Sequence, residues 1–216
     1  MEQTTIPDAV RKEISPETVT AWAGVDADGC YYLLEACHDC MHDCPREWDN
    51  LGVIASWDCD FRGDVSPSVS PTEYLEALPS GSMILPVYHY DHTIQSVSTV
   101  PFIGRAQHAE WDSALVGYIH LSPETMGMEW PDLTPEERRE KAIVALKEEI
   151  KTYDMFLKGK VYQVTLHRLK KCEHCEEWKV TLEESFGNIY ADDAAELLET
   201  AETIFDNVSG MVEVTK

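Results

Sequence analysis

The sequence predicts an α+β fold, in which a central antiparallel sheet packs against one long amphipathic helix and a C-terminal acidic helix. Short apolar or alternating runs, typical of strands, recur along the chain up to residue 121. The clearest helical periodicity follows them, between residues 134 and 159. Several strands followed by helices, without regular alternation between the two, favour an antiparallel α+β architecture.

Each predicted strand is a run of aliphatic, β-branched or aromatic residues bounded by turn residues. The predicted strands are residues 30–36, 51–57, 83–90, 93–100, 114–121, 161–169 and 178–182. Residues 88–120 run through three of these strands and form the expected centre of the sheet. After the last strand, residues 185–190 are expected to make a turn and a short extension.

The long helix has clear signals at both ends. Thr134 and Glu137 flank Pro135 as a capping box. Gly159 suits the position just after the last helical turn. Apolar residues recur between these ends at steps of three and four, which predicts one buried stripe. They are Ile143, Leu146, Ile150, Tyr153 and Leu157.

Shorter helices and the domain organisation complete the predicted fold. Residues 72–78 can form a short helix, and Asp192 is expected to cap the C-terminal acidic helix. No internal repeat or clear linker divides the chain. We therefore expect a single α+β domain of residues 1–216, with a soft boundary at most near residues 127–135.

The net charge of −23 is the most informative property of the composition. Residues 1–130 hold 21 acidic and five basic residues, against 19 and 12 in residues 131–216. Such a surface repels nucleic acid and attracts basic protein surfaces. A surface that promotes solubility, or a salt-adapted host, would give the same composition, although ten lysines weaken the explanation by salt.

The location of the protein follows from two absences in the sequence. No apolar run approaches the roughly 20 residues that span a bilayer, and the first residues lack the basic and apolar segments of a secretory signal. We therefore expect a protein without membrane association, located in the cytoplasm of a bacterial or archaeal host.

Two C-x-x-C pairs suggest a zinc site. Four thiolates can hold zinc tetrahedrally, and nearby histidines or a further cysteine can replace one of them. The candidate ligands are Cys37, Cys40, Cys172 and Cys175, with His38, His42, Cys44 and His174 as substitutes. About 130 residues separate the pairs, so the spacing typical of zinc fingers is missing. Unligated thiols in polar loops are the alternative.

A polar turn follows the first cysteine cluster, at residues 45–50. Arg46, Glu47 and Asp49 could form a binding surface around Trp48. The alternative is a network between the arginine and carboxylates that only fixes the loop.

An Asp-His cluster is the alternative site for catalysis. Asp91, His92 and Asp112 could converge if their strands pair, and could hold a metal for hydrolysis. Ser113 lies next to Asp112, but no nucleophile-elbow motif surrounds it. Loop ends fixed by the two aspartates would explain the same residues, so no catalytic residue is assigned.

Five segments in the same order together resemble an uncharacterised family of bacteriophage and mobile-element proteins. They read CPREWDNLG (44–52), LPVYHYDH (85–92), WDSALVGYI (111–119), TYDMFLKGKVY (152–162) and ESFGNIY (184–190). The resemblance implies an origin in mobile genetic elements and no particular reaction. The cysteine pairs lie outside the shared pattern, so a metal site would be particular to this chain.

Charge and resemblance together predict an acidic phage-encoded protein that binds and inhibits a host nucleic-acid-binding or defence protein, as anti-CRISPR and anti-restriction proteins do. The carboxylates would mimic phosphates on a partner with a basic surface, without direct nucleic-acid binding. The expected binding residues are Asp58, Asp60, Asp64, Glu47 and Asp49. The alternatives are a metal-dependent hydrolase that uses the Asp-His cluster and a phage accessory protein with a structural zinc.

Overall fold

The computed structural model describes residues 6–26, 28–175, 177–205, 208 and 210–215. It has α+β architecture with two antiparallel sheets, one of five strands and one of four, where the sequence predicts one central sheet. The chain divides into two compact units. We call Met1–Asp43 with Gly159–Lys216 the split unit, and Cys44–Lys158 the inserted unit.

The strands of the described residues are numbered along the chain. They are β1 (Thr20–Val25), β2 (Tyr31–His38), β3 (Val53–Ser56), β4 (Met83–Asp91), β5 (Gln95–Ser98), β6 (Ser113–Leu121), β7 (Val161–Lys171), β8 (Trp178–Tyr190) and β9 (Val212–Val214). Each predicted strand is present with shifted ends. β8 continues to Tyr190, through the segment where the sequence suggests a turn, and β1 and β9 were not predicted.

The helices of the described residues are numbered in the same way. They are α1 (Asp8–Lys12), α2 (Pro71–Ala77), α3 (Ala109–Asp112), α4 (Pro123–Glu129), α5 (Pro135–Leu157) and α6 (Ala194–Ile204), with a 3-10 helix at Pro45–Glu47. The capping box of α5 is confirmed. Asp193, not Asp192, caps α6. Asp192 accepts a hydrogen bond from Lys160 Nζ at 3.0 Å instead.

The split unit has the strand order β8-β7-β2-β1-β9. Apolar side chains cover both faces of this sheet. On one face, Leu34 packs in a cluster with Leu197 of α6. On the other face, Leu33 packs with Val10 of α1. Because β2 is covered on both sides, its sequence is a continuous apolar run and not an alternating one.

The inserted unit has the strand order β3-β6-β4-β5. The predicted stripe of α5 faces its core, where Leu146 and Ile150 belong to one cluster with Ile54, Val87 and Ile119 of the sheet. A helix whose apolar residues repeat every three or four positions buries that stripe when it packs on a sheet. The predicted long helix is therefore present, and its stripe packs on the sheet.

Two further contacts fix the strands of the inserted unit. Asp154 of α5 accepts hydrogen bonds from Ser96 Oγ at 2.6 Å and from the Val97 N–H at 3.0 Å, which anchors the edge strand β5. At Gly117, a Cβ atom would lie 2.1 Å from the Ala55 carbonyl oxygen, so β3 and β6 approach too closely there for any other residue. Within the described part of the chain, no helix is long and apolar enough to cross a membrane.

Candidate functional site

The segment from Pro45 to Asn50 forms a tight turn that presents Trp48 to solvent. The 3-10 helix begins at Pro45, whose fixed φ angle suits a first helical position. The Asn50 side-chain amide donates to the carbonyls of Pro45 at 2.8 Å and Trp48 at 3.0 Å and closes the turn. Pro45 is buried, whereas Trp48 is 43 % exposed. The turn therefore holds a large aromatic side chain at the surface.

Arg46 ties this turn to two other parts of the inserted unit. Its Nε donates to Asp64 Oδ1 at 3.0 Å, its Nη1 to Glu149 Oε2 at 2.9 Å and its Nη2 to the Gly52 carbonyl at 2.7 Å. Burial alone would lower the pKa of the guanidinium, but the hydrogen bonds to both carboxylates outweigh it and raise the pKa. The arginine–carboxylate network proposed as the alternative is thus present.

Both carboxylates of this network also bind the backbone. Glu149 Oε1 accepts from the N–H groups of Leu51 at 2.9 Å and Gly52 at 3.1 Å. Asp64 Oδ2 accepts from the Ile54 N–H at 2.7 Å. The Asp64 side chain is only 22 % exposed. Asp64 therefore fixes the loop, because its oxygens bind Arg46 and the start of β3; its role in binding a partner stays a prediction.

The other predicted binding residues fall into two groups: one whose side chain binds the protein's own backbone, and others that are exposed. Asp58 is half-buried, and its Oδ1 accepts from the N–H groups of Asp60 at 2.8 Å and Phe61 at 3.1 Å. It therefore shapes the loop after β3. Asp60, Glu47 and Asp49 are exposed. These three remain accessible to a partner.

A cleft of about 220 Å³ lies beside Trp48 within the inserted unit. It is lined by Pro45, Trp48, Asn50, Ala145, Glu148, Glu149 and Thr152. Glu149 is fixed by the Arg46 network, and Glu148 is exposed. The cleft thus combines an indole face, one exposed carboxylate and the neighbouring acids of the turn. Such a surface suits an aliphatic stem that ends in a positive charge, as in lysine or arginine.

The predicted Asp-His cluster comes together only in part. His92 Nδ1 lies 2.9 Å from Asp112 Oδ2, and the His92 ring centroid lies 5.8 Å from that of His108. Asp91 instead accepts a hydrogen bond from the Gln95 side chain at 3.4 Å, because it pairs with Gln95 across the β4–β5 hairpin. One carboxylate and one histidine are fewer protein ligands than a hydrolytic metal usually has.

The serine beside this pair does not act as its nucleophile in this arrangement. Ser113 Oγ donates to the Ala109 carbonyl at 2.5 Å, across the end of α3. A nucleophilic serine would donate to the base instead. The His92–Asp112 pair therefore has the geometry of a base and its orienting carboxylate, with no aligned nucleophile in Ser113.

The two C-x-x-C pairs lie at opposite ends of the five-stranded sheet. Cys37 pairs with Gln163 in the β2–β7 register, whereas Cys172 lies nine residues further along, just after β7. At about 3.3 Å per residue this separates the two by about 30 Å. Zinc–sulfur bonds are about 2.3 Å long, so the four predicted cysteines do not form one centre.

The Cys172–Cys175 turn keeps its own two thiols together. Backbone N–H groups of Cys175 and His174, and the Cys175 thiol, hydrogen-bond the Cys172 sulfur and lower the pKa of the Cys172 thiol. By contrast, burial raises the pKa of Cys37 in spite of a hydrogen bond from Thr18. The hairpin tip therefore favours a thiolate, and the end of β2 does not.

The histidines near Cys37 are engaged with the protein. His38 Nδ1 lies 3.1 Å from the Gly159 carbonyl oxygen, and its ring stacks on Tyr162. His42 Nδ1 contacts the Asp39 carbonyl oxygen. Cys44 begins the inserted unit and packs against that unit's core. None of these contacts gathers the predicted substitute ligands around Cys37 and Cys40.

The clustering of possible ligand atoms points away from both predicted metal sites. Among the described residues, the one group of three His, Cys, Asp or Glu with ligand atoms within 4.8 Å of one another is Asp58, Cys59 and Asp60. Its aspartates lie in the loop that Asp58 itself caps, and exposed acids of this kind are common. This group was not predicted, and the contacts of Asp58 with backbone N–H groups explain it as part of the loop structure.

Glu35 is the buried carboxylate that sequence reasoning missed. It accepts from the Ser15 N–H at 2.6 Å and Thr18 Oγ1 at 2.7 Å, and it lies 3.0 Å from His167 Nε2. Burial raises its pKa, but the hydrogen bonds from His167, Ser15 and Thr18 outweigh burial and lower it. An acid within an apolar run, in the strand YYLLEACH, was the signal that could have identified it.

No protein-family model, curated protein or solved structure matches the chain.

Proposed function

We propose that this chain is an acidic interaction protein, encoded by a bacteriophage or mobile element, that binds a basic surface of a host protein. Its carboxylates would occupy the positions of nucleic-acid phosphates. The bound partner, a nucleic-acid-binding or defence protein, would thereby be inhibited in the manner of anti-CRISPR and anti-restriction proteins. The interaction would take place in the cytoplasm of the host.

The concentration of exposed acid in the inserted unit carries this proposal. Residues 44–133 hold 13 acidic and three basic residues, a net charge of −10. Except for Asp58, Asp64 and Asp112, whose side chains are partly buried, the acidic residues of this segment are exposed. Of its bases, Arg46 is already paired with Asp64 and Glu149. A predominantly negative surface accelerates encounters with a positively charged partner and repels nucleic acid.

Trp48 is the expected anchor of the interface. Binding energy at protein interfaces concentrates on a few residues, in which tryptophan is enriched, while surrounding charges mainly set the rate and the choice of partner. Trp48 has the exposed Glu47 and Asp49 beside it and the cleft at its side. We therefore expect a basic protein partner, one long side chain of which enters the cleft.

The test begins with nuclease-treated host lysate passed over the immobilised chain. The retained protein is identified and purified, and its affinity for the chain and for duplex DNA or RNA is measured. We expect the chain and the nucleic acid to compete for it. Increasing the salt concentration from about 50 to 500 mM should weaken binding to the chain, because screening shortens the range of exposed charges.

A matched pair of variants separates a local site from net charge. The first carries Glu47→Gln, Asp49→Asn and Asp60→Asn. The second carries Glu184→Gln, Glu199→Gln and Glu202→Gln, which remove the same charge from exposed positions of the split unit. We expect the first variant to bind at least tenfold more weakly and the second to bind nearly as well as the parent chain. Equal losses, or a partner that binds nucleic acid and the chain together, would contradict the proposal.

A metal-dependent hydrolase is the second candidate, and the His92–Asp112 pair is the observation that favours it. Phosphodiester hydrolysis that requires a divalent cation and is lost in Asp112→Asn would support it. A phage accessory protein with a structural zinc is the third, and the paired thiols of Cys172 and Cys175 favour it.

A further inference from the structure

The tip of the β7–β8 hairpin places two thiols in a closed turn. β7 ends at Lys171, which pairs with Trp178 at the start of β8. Between them the Cys172 N–H donates to the Glu177 carbonyl at 2.7 Å. The last strand pair and this hydrogen bond close the base of the turn that holds Cys172 and Cys175. Cys175 is exposed and Cys172 is half-buried.

The two sulfurs of this turn lie close enough together to serve as two ligands of one metal ion. The N–H groups of His174 and Cys175 hydrogen-bond the Cys172 sulfur, and the Cys175 thiol contacts it as well. Backbone N–H groups directed at a sulfur stabilise negative charge on it. Lys170, Lys171 and Lys179 lie on the neighbouring strands, and Glu173 and Glu177 lie in the turn itself. The Cys175 thiol is 3.8 Å from Glu177 Oε2, a contact that zinc binding would replace.

The hairpin tip supplies only half of a closed site. Structural zinc takes four ligands in a tetrahedron, most often cysteine thiolates. No other His, Cys, Asp or Glu among the described residues has a ligand atom within 4.8 Å of both thiols and so completes a group of three. Cys30 is 2 % exposed, and its sulfur accepts a hydrogen bond from Arg168 Nη2 at 3.3 Å. Cys37 and Cys40 lie at the other end of the sheet.

We propose that the hairpin tip is half of an intermolecular zinc site, which Cys172 and Cys175 of a second copy of this chain complete. A two-fold axis through the ion presents the same pair of sulfurs from both copies, so one surface patch satisfies both halves. Four Zn–S bonds form, and the four thiols release four protons to solvent. The resulting centre carries two negative charges, which the backbone N–H groups directed at the Cys172 sulfur of each copy help to stabilise.

This inference does not depend on the proposed function, because it concerns the split unit and the proposed interface lies on the inserted unit. A chain that fails to bind a basic partner can still form the zinc-linked dimer. Conversely, loss of zinc leaves the exposed acids around Trp48 in place.

The test measures zinc content and molecular mass on the same samples. The full chain is purified under reducing conditions, loaded with Zn²⁺, freed of excess metal and studied by elemental analysis and sedimentation equilibrium. We expect one zinc ion per two chains in a dimer, and a zinc-free monomer after chelation. With Co²⁺ instead of Zn²⁺, we expect the absorption bands of a tetrahedral thiolate centre at the same stoichiometry.

Single substitutions identify the ligands. Cys175→Ser should lose the zinc and the dimer together, while Cys40→Ser and Cys59→Ser, which change exposed thiols elsewhere, should keep both. Thermal unfolding of each variant checks that it is folded. A monomer with one zinc per chain, a zinc content that falls in Cys40→Ser, or a dimer that persists in zinc-free Cys175→Ser would overturn the proposal. So would a reduced chain that takes up no zinc.

Discussion

Arg46 donates to Glu149 at 2.9 Å, although 103 residues of sequence separate them. The guanidinium also holds Asp64, so one side chain joins the turn before β3, the loop after β3 and the helix α5. The side chains of Arg46 and Glu149 are 8 % and 14 % exposed. The turn that exposes Trp48 therefore depends on a largely buried ion network.

Removal of Arg46 should destabilise the fold strongly. We expect Arg46→Met to lose about 3 kcal/mol, because Asp64 and Glu149 would stay partly buried without their counter-charge. Urea unfolding measured by circular dichroism checks this value. Arg62→Met, a change at an exposed arginine, is the control and should stay within about 0.5 kcal/mol of the parent chain. Similar losses in both variants would show that the network does not stabilise the fold.

Protonation of His89 should weaken the fold in mild acid. Burial lowers its pKa from the ordinary value of 6.5, although Asp91, Asp58 and Asp60 counteract burial in part. The unfolded chain then binds a proton more readily than the folded chain, so His89's contribution to stability is complete above about pH 6.5 and declines below it. Nε2 of His89 is buried and has no hydrogen-bond partner among the residues that the structure describes.

The variant His89→Phe isolates this effect. It should reduce the fall in melting temperature between about pH 7.5 and pH 5.5, because it removes the group that is protonated on unfolding. The parent chain, measured at the same two pH values, is the reference. If the pH dependence of His89→Phe matches that of the parent chain, His89 is not the group responsible.

Glu35 should stabilise the split unit above its ordinary pKa of 4.5. Because its hydrogen bonds lower the pKa in the folded chain, its contribution is present above about pH 4.5 and declines as the pH falls towards the lower folded value. We expect Glu35→Gln to cost about 2 kcal/mol at pH 7, the range for hydrogen bonds to a charged group. Faster amide exchange at Ser15 should accompany this loss. Glu199→Gln, at an exposed position, should change neither the stability nor the Ser15 exchange rate. An unchanged Ser15 exchange rate in Glu35→Gln would refute the hydrogen bond between Ser15 and Glu35.

Two glycines should respond oppositely to alanine. Gly117→Ala should destabilise the inserted unit by about 3 kcal/mol, because the new methyl group would meet the Ala55 carbonyl and separate β3 from β6. Gly127→Ala, in α4, meets only Arg138 Nη1 at 3.5 Å and should stabilise the fold by about 0.5 kcal/mol. Thermal unfolding distinguishes the two. A tolerated Gly117→Ala would contradict the β3–β6 register.

Local patterns in the sequence were sufficient for individual elements but not for their pairing. The capping box at Thr134 and the stripe on α5 depend on residues within a few turns of one another, and both are present. β1 was missed because its sequence, TAWAGV, is short and covered on both faces, which removes the alternation typical of a strand. The division into two sheets depends on pairing between β2 and β7, more than 120 residues apart.

The candidate sites show the same limit. The C-x-x-C spacing identified thiols that share a turn at Cys172, but only the β2–β7 register shows that Cys37 lies about 30 Å away. The acidic turn at residues 45–50 was found from composition. That Asp64 is less accessible than the other predicted acids follows only from its ion pair with Arg46. Register and long-range ion pairs are set by tertiary packing, which no local pattern encodes.

The division of the split unit into two segments has a consequence for synthesis of the chain. His38 pairs with Tyr162, so β2 can pair with β7 only after the whole of Cys44–Lys158 has left the ribosome, although β1, on its other side, is synthesised first. At about 5 to 20 residues per second, β2 waits roughly 6 to 25 s for β7. The inserted unit is continuous in sequence and can fold during this delay, while β2 exposes an apolar edge. Co-translational chaperone contacts should therefore concentrate on residues 31–38, and faster translation should lower aggregation.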